Sequence, residues 1–339
     1  MSASTGLRPS TRHASAPSRA GILPLPLLGE SDPVRRARQG LEAVAARRTS
    51  ILLLAEPGCD PRGIAEFLHA RARPREPLVA IDCGAAEASD LDQSLFGAST
   101  RRRASGDLEP LGRGAAVVEA GAGTLFLENV EELPASAQRR LARLLRDGEA
   151  RVVARQQSVP LAFRLVASTT RDLDVEAVEG RFRPDLLKRF ASGRIIVPAL
   201  RERPGDLRAI VDRVLRDRGE GDRTFTQPAL TTLAALPWPR NLDELVEVLT
   251  AIAGDAGDIV TQEDVLAHVP IDGPFTRRDL TVSLREARRR FEREYISAVL
   301  ERHQWRMSDA AETLGIERAN LYRKTRQLGI AKVPKTQVS

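Results

Sequence analysis

Only two cysteines, Cys59 and Cys83, occur in the 339 residues. They are too few for a disulfide framework, so a reducing cytoplasm is the expected compartment. Four histidines, His13, His69, His268 and His303, are scattered without metal-ligand spacing, and no metal centre is expected. No apolar run approaches the roughly 20 residues of a membrane span. The basic N-terminus lacks the apolar core of a signal peptide, and no internal repeat is visible. A further absence is local. An apolar strand, Ile51-Leu52-Leu53-Leu54, and a helix from Ile64 to Ala70 bracket the stretch Ala55-Glu56-Pro57-Gly58-Cys59-Asp60-Pro61-Arg62-Gly63. A loop that holds phosphate at such a place reads G-x-x-x-x-G-K-[ST]. Here Ala55 stands at the first glycine, Asp60 at the second and Pro61 at the lysine. Asp followed by Pro is also a strong helix start, with Asp as N-cap and Pro at the first helical position. The helix is expected to cap itself with its own carboxylate, which takes the N–H groups a phosphate would use.

What is present is mostly charge and alternation. The net charge is +6 and the pI is about 9.9, which points to an acidic partner. Residues 302–339 hold eight Lys/Arg against three Asp/Glu, a net of +5; nucleic acid and a solvated basic tail are both consistent with that. Residues 1–24, rich in Ser, Ala, Arg and Pro without periodicity, are expected to form a disordered tail. From 25 to 200, apolar runs at 51–54, 78–81, 123–127 and 163–168 alternate with helical patterns such as 135–146. That alternation predicts an α/β domain with a parallel sheet covered on both faces. Residues 201–270 turn helical, at 206–216, 227–235, 241–253 and 262–268. A linker at 271–280 and an all-α unit at 281–339 follow.

A series of ordered motifs carries a resemblance. Leu28-Gly29-Glu30-Ser31, Ser94-Leu95-Phe96-Gly97, Gly123-Thr124-Leu125-Phe126-Leu127, Glu132-Leu133-Pro134 and Arg171-Asp172-Leu173 are followed by three more. These are Gly180-Arg181-Phe182-Arg183-Pro184-Asp185-Leu186, Pro198-Ala199-Leu200-Arg201-Glu202-Arg203 and Trp238-Pro239-Arg240-Asn241-Leu242. In this order, over roughly 27–331, the chain resembles the bacterial enhancer-binding proteins. These are AAA+ activators of sigma-54 RNA polymerase that end in a Fis-type helix-turn-helix. The resemblance implies an AAA+ P-loop-like α/β domain, a helical lid and a DNA-binding unit.

The same resemblance marks departures. The family has Asp-Glu after the strand ending at Leu127, for magnesium and for activating water; this chain has Glu128-Asn129. Glu128 can still face a metal, but an Asn129 amide has no useful proton affinity and is no general base. Thr170 replaces a phosphate-sensing Asn, and Asp243 replaces a lid Arg that reads the phosphates, putting an anion near phosphate. With Glu56, Gly58, Asp60, Pro61 and Arg62, these residues make up the degenerate nucleotide site, with weak ATP binding at most. Arg183 and Arg189 match the family's trans-acting arginines, as fingers toward a nucleotide or as plain interface ion pairs. The GAFTGA loop that touches sigma-54 is missing. In its place, after Phe96-Gly97, runs Ala98-Ser99-Thr100-Arg101-Arg102-Arg103-Ala104-Ser105-Gly106, either a solvated loop or a contact to DNA or an acidic partner.

The C-terminal unit retains its reading elements. Residues 284–300 place Leu284, Phe291, Tyr295, Val299 and Leu300 on one face, an amphipathic helix suited to a dimer. Ser308 is expected as an N-cap, Ala310, Ala311 and Leu314 as a tight face, and Gly315 as the turn. In the next helix, stopped by Gly329, Leu321, Thr325 and Leu328 should point inward. Arg318 and Asn320, near its start, are candidates for base edges, and Tyr322, Arg323, Lys324 and Arg326 for phosphates. The expected function is a sequence-specific DNA-binding transcriptional regulator, a homo-oligomer without catalytic residues, which does not hydrolyse ATP or remodel sigma-54. Two alternatives stay open: an activator with residual ATPase that works on RNA polymerase, and a non-catalytic scaffold for a related AAA+ regulator.

Overall fold

The computed structural model describes residues 12–13, 22–45, 47, 49–85, 87–98, 108–153, 157–255 and 257–269. Toward the C-terminus it describes 293, 296–297, 300, 303, 305–313, 318–328 and 330. The chain divides into two compact units, Met1–His268 and Val269–Ser339.

In the first unit five parallel strands make the central sheet: β1 Ile51–Leu54, β2 Leu78–Asp82, β3 Thr124–Glu128, β4 Arg164–Thr169 and β5 Arg194–Ile196. Their spatial order is β2-β3-β4-β1-β5. Successive side chains leave opposite faces of a strand, and the strands are apolar on both. Ile51 and Leu53 of β1, Phe126 of β3 and Val166 of β4 pack under helices α1 (Asp32–Ala45) and α2 (Pro61–Ala72). Leu52, Leu125, Leu127 and Leu165 face the other way, onto α3 (Ala88–Phe96) and α4 (Ala135–Asp147). Burying strands on both faces explains why they read as continuous apolar runs. Each such side chain contributes about 1.5–3 kcal/mol by leaving water.

All four expected strands are present, with ends shifted by a residue or so. The sheet also contains β5, and beside it stand a hairpin of Glu149–Val152 with Gln157–Pro160 and a short strand Pro110–Leu111. Arg12–His13, within the stretch expected to be disordered, is a correction. It pairs antiparallel with β2, Arg12 opposite Ile81, and so occupies edge N–H and C=O groups that would otherwise lack partners.

Four helices form the lid: α5 Leu207–Asp217, α6 Gln227–Ala235, α7 Asn241–Asp255 and α8 Gln262–His268. Thr224–Phe225 and Ile259–Val260 tie them with a two-stranded parallel ladder. Arg203 joins lid to core. It is fully buried, and its Nη1 donates to the Leu25 and Pro26 carbonyls at 3.1 and 2.9 Å. The Asp206 carboxylate accepts the Glu30 and Ser31 N–H groups at 2.8 and 3.1 Å. The 25–31 segment is thereby fastened to the start of the lid.

In the second unit the described helices are α9 Met307–Thr313 and α10 Arg318–Leu328. A small core joins Ile296, Leu300, Ala310, Ala311, Leu321 and Leu328. The membrane expectation concerns helices alone: among the described residues none is long and apolar enough to cross a bilayer.

Candidate functional site

The C-terminal ends of parallel strands, where a sheet's crossovers diverge, are where such folds bind ligands. The loop after β1 lies there. Asp60 adopts a left-handed conformation (φ 53°), which Asp tolerates better than most residues. Its Oδ1 accepts the Gly63 N–H at 2.9 Å, and Pro61 opens α2 as its first residue. The carboxylate cap expected from the sequence is therefore in place. Burial, the largest cause, pushes the Asp60 carboxyl up to about 6, with Glu66 and Asp243 adding repulsion against the Gly63 N–H and Arg62.

The acids around it reinforce that field. Glu128 ends β3 opposite Asp82 of β2. Burial raises its carboxyl above the usual range, and Asp82, Asp60 and Asp243 push the same way; Arg62 alone pulls it down. Arg62 is itself shared with Glu66, at 3.1 Å. Asn129, also left-handed (φ 53°), donates its Nδ2 to Asp82 Oδ1 at 2.9 Å, so its amide is spent holding that carboxylate. Thr170, after β4, gives both its N–H (2.8 Å) and its hydroxyl (2.7 Å) to Glu131 Oε1. A magnesium nucleotide does not suit this set. The Gly63 amide is taken by a carboxylate, Pro61 stands where the phosphate-loop pattern has lysine, and Asp60, Asp82, Glu128 and Asp243 bring four carboxylates into one mutually repelling group.

The lid closes onto the same loop. Gly58 O accepts the N–H groups of Leu242 and Asp243, the first turn of α7, at 3.0 and 3.2 Å. Asn241, fully buried, donates to Pro57 O at 2.9 Å and accepts the Leu200 N–H at 2.8 Å. Glu56 pairs with Arg201, Nη1 to Oε2 at 2.6 Å, and this pairing lowers its carboxyl. Gly58 and Asp243, both expected in the degenerate nucleotide site, are hydrogen-bonded to each other.

Arg183 and Arg189 lie on the exposed side of the segment after Leu173–Val178. Gln138 accepts the Arg183 N–H at 2.9 Å, while the guanidinium grips Asp185 with both arms, at 2.9 and 2.8 Å. Arg189 is exposed, with no ion pair to a described residue. The two are not equivalent: the Arg183 guanidinium is held by Asp185.

In the second unit, α10 buries Leu321 and Leu328 fully or nearly so, together with Thr325, as its spacing predicts. Arg318 is exposed and lies over the Tyr322 ring, 5.7 Å from its centre. Asn320 Oδ1 accepts Arg323 Nη2 at 3.1 Å, and Tyr322 is half exposed. Arg318, Asn320, Tyr322, Arg323 and Lys324 thus share one helix with a buried stripe between them. Arg326 lies on that helix, but its side chain is outside the described residues, as are Leu314, Gly315, Gly329 and the Arg101–Arg103 segment. Two details differ from expectation. Ser308 is inside α9, which begins at Met307, so it caps nothing. In the stretch expected to be the 284–300 helix, Ile296 joins Leu300 in the core; the expected face omitted it, and most of that face is not described.

Sequence reasoning missed Glu131, Asp82, Gln138 and Asn241 as organisers of the site. Only Asn241 had a local signal, an Asn opening a helix.

Comparison with known proteins agrees with this architecture. Residues 27–196 match the sigma-54 interaction domain, and residues 287–328 match the bacterial regulatory proteins of the Fis family. The chain is 33% identical to the regulatory protein LuxO of Vibrio cholerae over 90% of its own length and 61% of that protein's. It is 32% identical to the nitrogen assimilation regulatory protein NtrX of Azorhizobium caulinodans, over 91% of this chain and 70% of that one. The chain thus spans about three fifths of LuxO and somewhat more of NtrX. The crystal structure of NtrX from Brucella abortus in complex with ADP superimposes with a TM-score of 0.61 at 29% identity, covering 91% of this chain and 70% of that chain. A parallel sheet with its lid, followed along the chain by a C-terminal helical unit and matched to both families in that order, leaves one classification: the chain belongs to the sigma-54-type transcriptional regulators, with a sigma-54 interaction domain of the AAA+ fold and a Fis-type helix-turn-helix.

Proposed function

We propose that this chain regulates transcription by sequence-specific binding to double-stranded DNA, and that its α/β domain assembles or contacts partners without hydrolysing ATP. The observation that carries the second half is Asp60, whose carboxylate holds the α2 amide where a phosphate would bind. Asn129, tied to Asp82, supplies no base. The first half rests on α10, which presents Arg318 and Asn320 at its start and Tyr322, Arg323 and Lys324 beyond. Helix N-terminal residues read bases in a major groove, and the others hold phosphates. Two copies joined through 284–300 would read half-sites about one helical turn apart.

The test is paired. The purified full chain is expected to release no phosphate from Mg-ATP above background while binding DNA without nucleotide. Steady-state turnover that disappears in Arg183→Ala would instead establish an ATPase activator. Co-purification with another AAA+ regulator, together with no footprint on DNA, would favour the scaffold reading.

The reading helix yields its own expectation. Arg318→Ala costs about 1–3 kcal/mol on the preferred site and relaxes discrimination at one base pair. Lys324→Ala weakens all sequences alike and reduces the slope of log K against log salt by about 0.9. Competition binding across salt concentrations separates the two. Identical behaviour of both variants would rule out the division between base and phosphate contacts.

A further inference from the structure

Two helix N-termini meet at the site after β1, and each is capped by the chain itself. The start of α2 is held by Asp60, through the Gly63 N–H at 2.9 Å. The start of α7, in the lid, is held by the Gly58 carbonyl, through the Leu242 and Asp243 N–H groups at 3.0 and 3.2 Å. Helix N-terminal amides carry the positive end of the dipole and are what an anion would seek. At each end these first-turn amides are already bonded within the chain.

The fit between loop and lid is close as well as polar. Gly58 has φ +76°, and a Cβ on it would stand 2.0 Å from the Arg240 carbonyl oxygen. No side chain fits there, so the loop backbone and the first residues of α7 touch directly. Asn241 adds three bonds from a fully buried position, to Pro57 O and Glu56 Oε2 and from the Leu200 N–H. At the rim, Arg201 closes on Glu56. On the far side, Arg203 and Asp206 fasten residues 25–31 to the lid's first turn. The contacts join four separate stretches, 25–31, 56–60, 200–206 and 240–243.

We infer that the lid of this chain is latched onto the core by Gly58, Asn241 and the Glu56–Arg201 pair, so that its closure is independent of nucleotide. In this latch the protein's own Gly58 carbonyl and Glu56 carboxylate bridge core and lid. The consequence is regulatory. The core and lid keep one relative geometry whatever the nucleotide level, and any switch must enter by another route. The inference rests on the reading of the site as one that does not take up nucleotide, but it concerns the lid and can fail separately.

Amide hydrogen exchange on the full chain tests it, with Mg-ATP as the probe. Leu242, Asp243 and Gly63 are expected to exchange slowly without nucleotide and at unchanged rates with it. Asn241→Ala should speed exchange at Leu242 and Asp243 about tenfold, while amides in β1 and β3 keep their rates and report an intact sheet. Arg201→Gln, at an exposed position, guards against a misfolded Asn241 variant and should give a smaller acceleration at the same two amides. Fast exchange at Leu242 and Asp243 that slows on adding Mg-ATP would overturn the latch. If Mg-ATP is turned over while those amides stay slow and unchanged, the latch stands and the non-hydrolysing reading falls.

Discussion

Asp60→Asn is expected to raise the melting temperature of the first unit at pH 8 by roughly 5–10 °C, and to change it little near pH 4. The Asp60 carboxyl titrates at about 6 in the folded chain against an ordinary 3.8. The native state therefore keeps a proton that the unfolded chain gives up. That contribution to stability is complete below the unfolded value and is lost as the pH rises through about 6. Above it the native state carries an ionised carboxylate among Glu66, Asp243 and Glu128, countered by Arg62 and the Gly63 N–H. The difference of about 2 pH units corresponds to about 3 kcal/mol at most, and partial solvation brings it to about 2–3 kcal/mol. Asn has nearly the same shape, tolerates the left-handed backbone and accepts the Gly63 N–H, so it removes the charge alone. Thermal melts of both proteins at the two pH values measure the effect. Equal shifts at both, or a loss at pH 8, would show that Asp60 carries no buried-charge cost.

Leu321→Ala should abolish DNA binding on every sequence and leave the melting of the first unit untouched. Leu321, on α10, is fully buried in a small core with Ile296, Leu300, Ala310, Ala311 and Leu328 among the described residues. Truncating a buried Leu costs about 2–5 kcal/mol through lost burial and the cavity left behind. In a unit as small as Val269–Ser339 that is a large part of the whole stability. The residues proposed to contact DNA then lose the scaffold that spaces them, although none has been changed. Binding isotherms with calorimetry distinguish this from Arg318→Ala, which weakens one sequence more than others and leaves the unit folded. Wild-type affinity in Leu321→Ala would mean that α10 does not depend on this core.

Much of the fold was legible because strands buried on both faces must be apolar throughout and helices must not be. Leu52 with Ile51 and Leu53, facing opposite layers, is the pattern in miniature. β5 was not legible: three residues, Arg194–Ile196, of which only Ile195 is buried, leave no periodicity to read. The hairpin after α4 carries Gln157-Ser158-Val159-Pro160, which has no buried residue and looks like a loop until its partner strand is known. In the second unit the inward residues Leu321, Thr325 and Leu328 followed from spacing alone. Ser308 misled because a good capping side chain does not oblige the helix to start after it.

The local chemistry of the altered loop was decided by the sequence itself: Asp before Pro is a helix cap wherever a helix follows, since the bond spans only three residues. The family assignment was equally readable, because it rests on the order of motifs along the chain. Partners distant in sequence were beyond it. That Asn129 holds Asp82, that Thr170 answers to Glu131, and that Gly58 receives the first amides of α7 depend on strand order and on lid placement. These bonds join residues 39 to 185 positions apart, and only the close-packed tertiary structure brings such residues together.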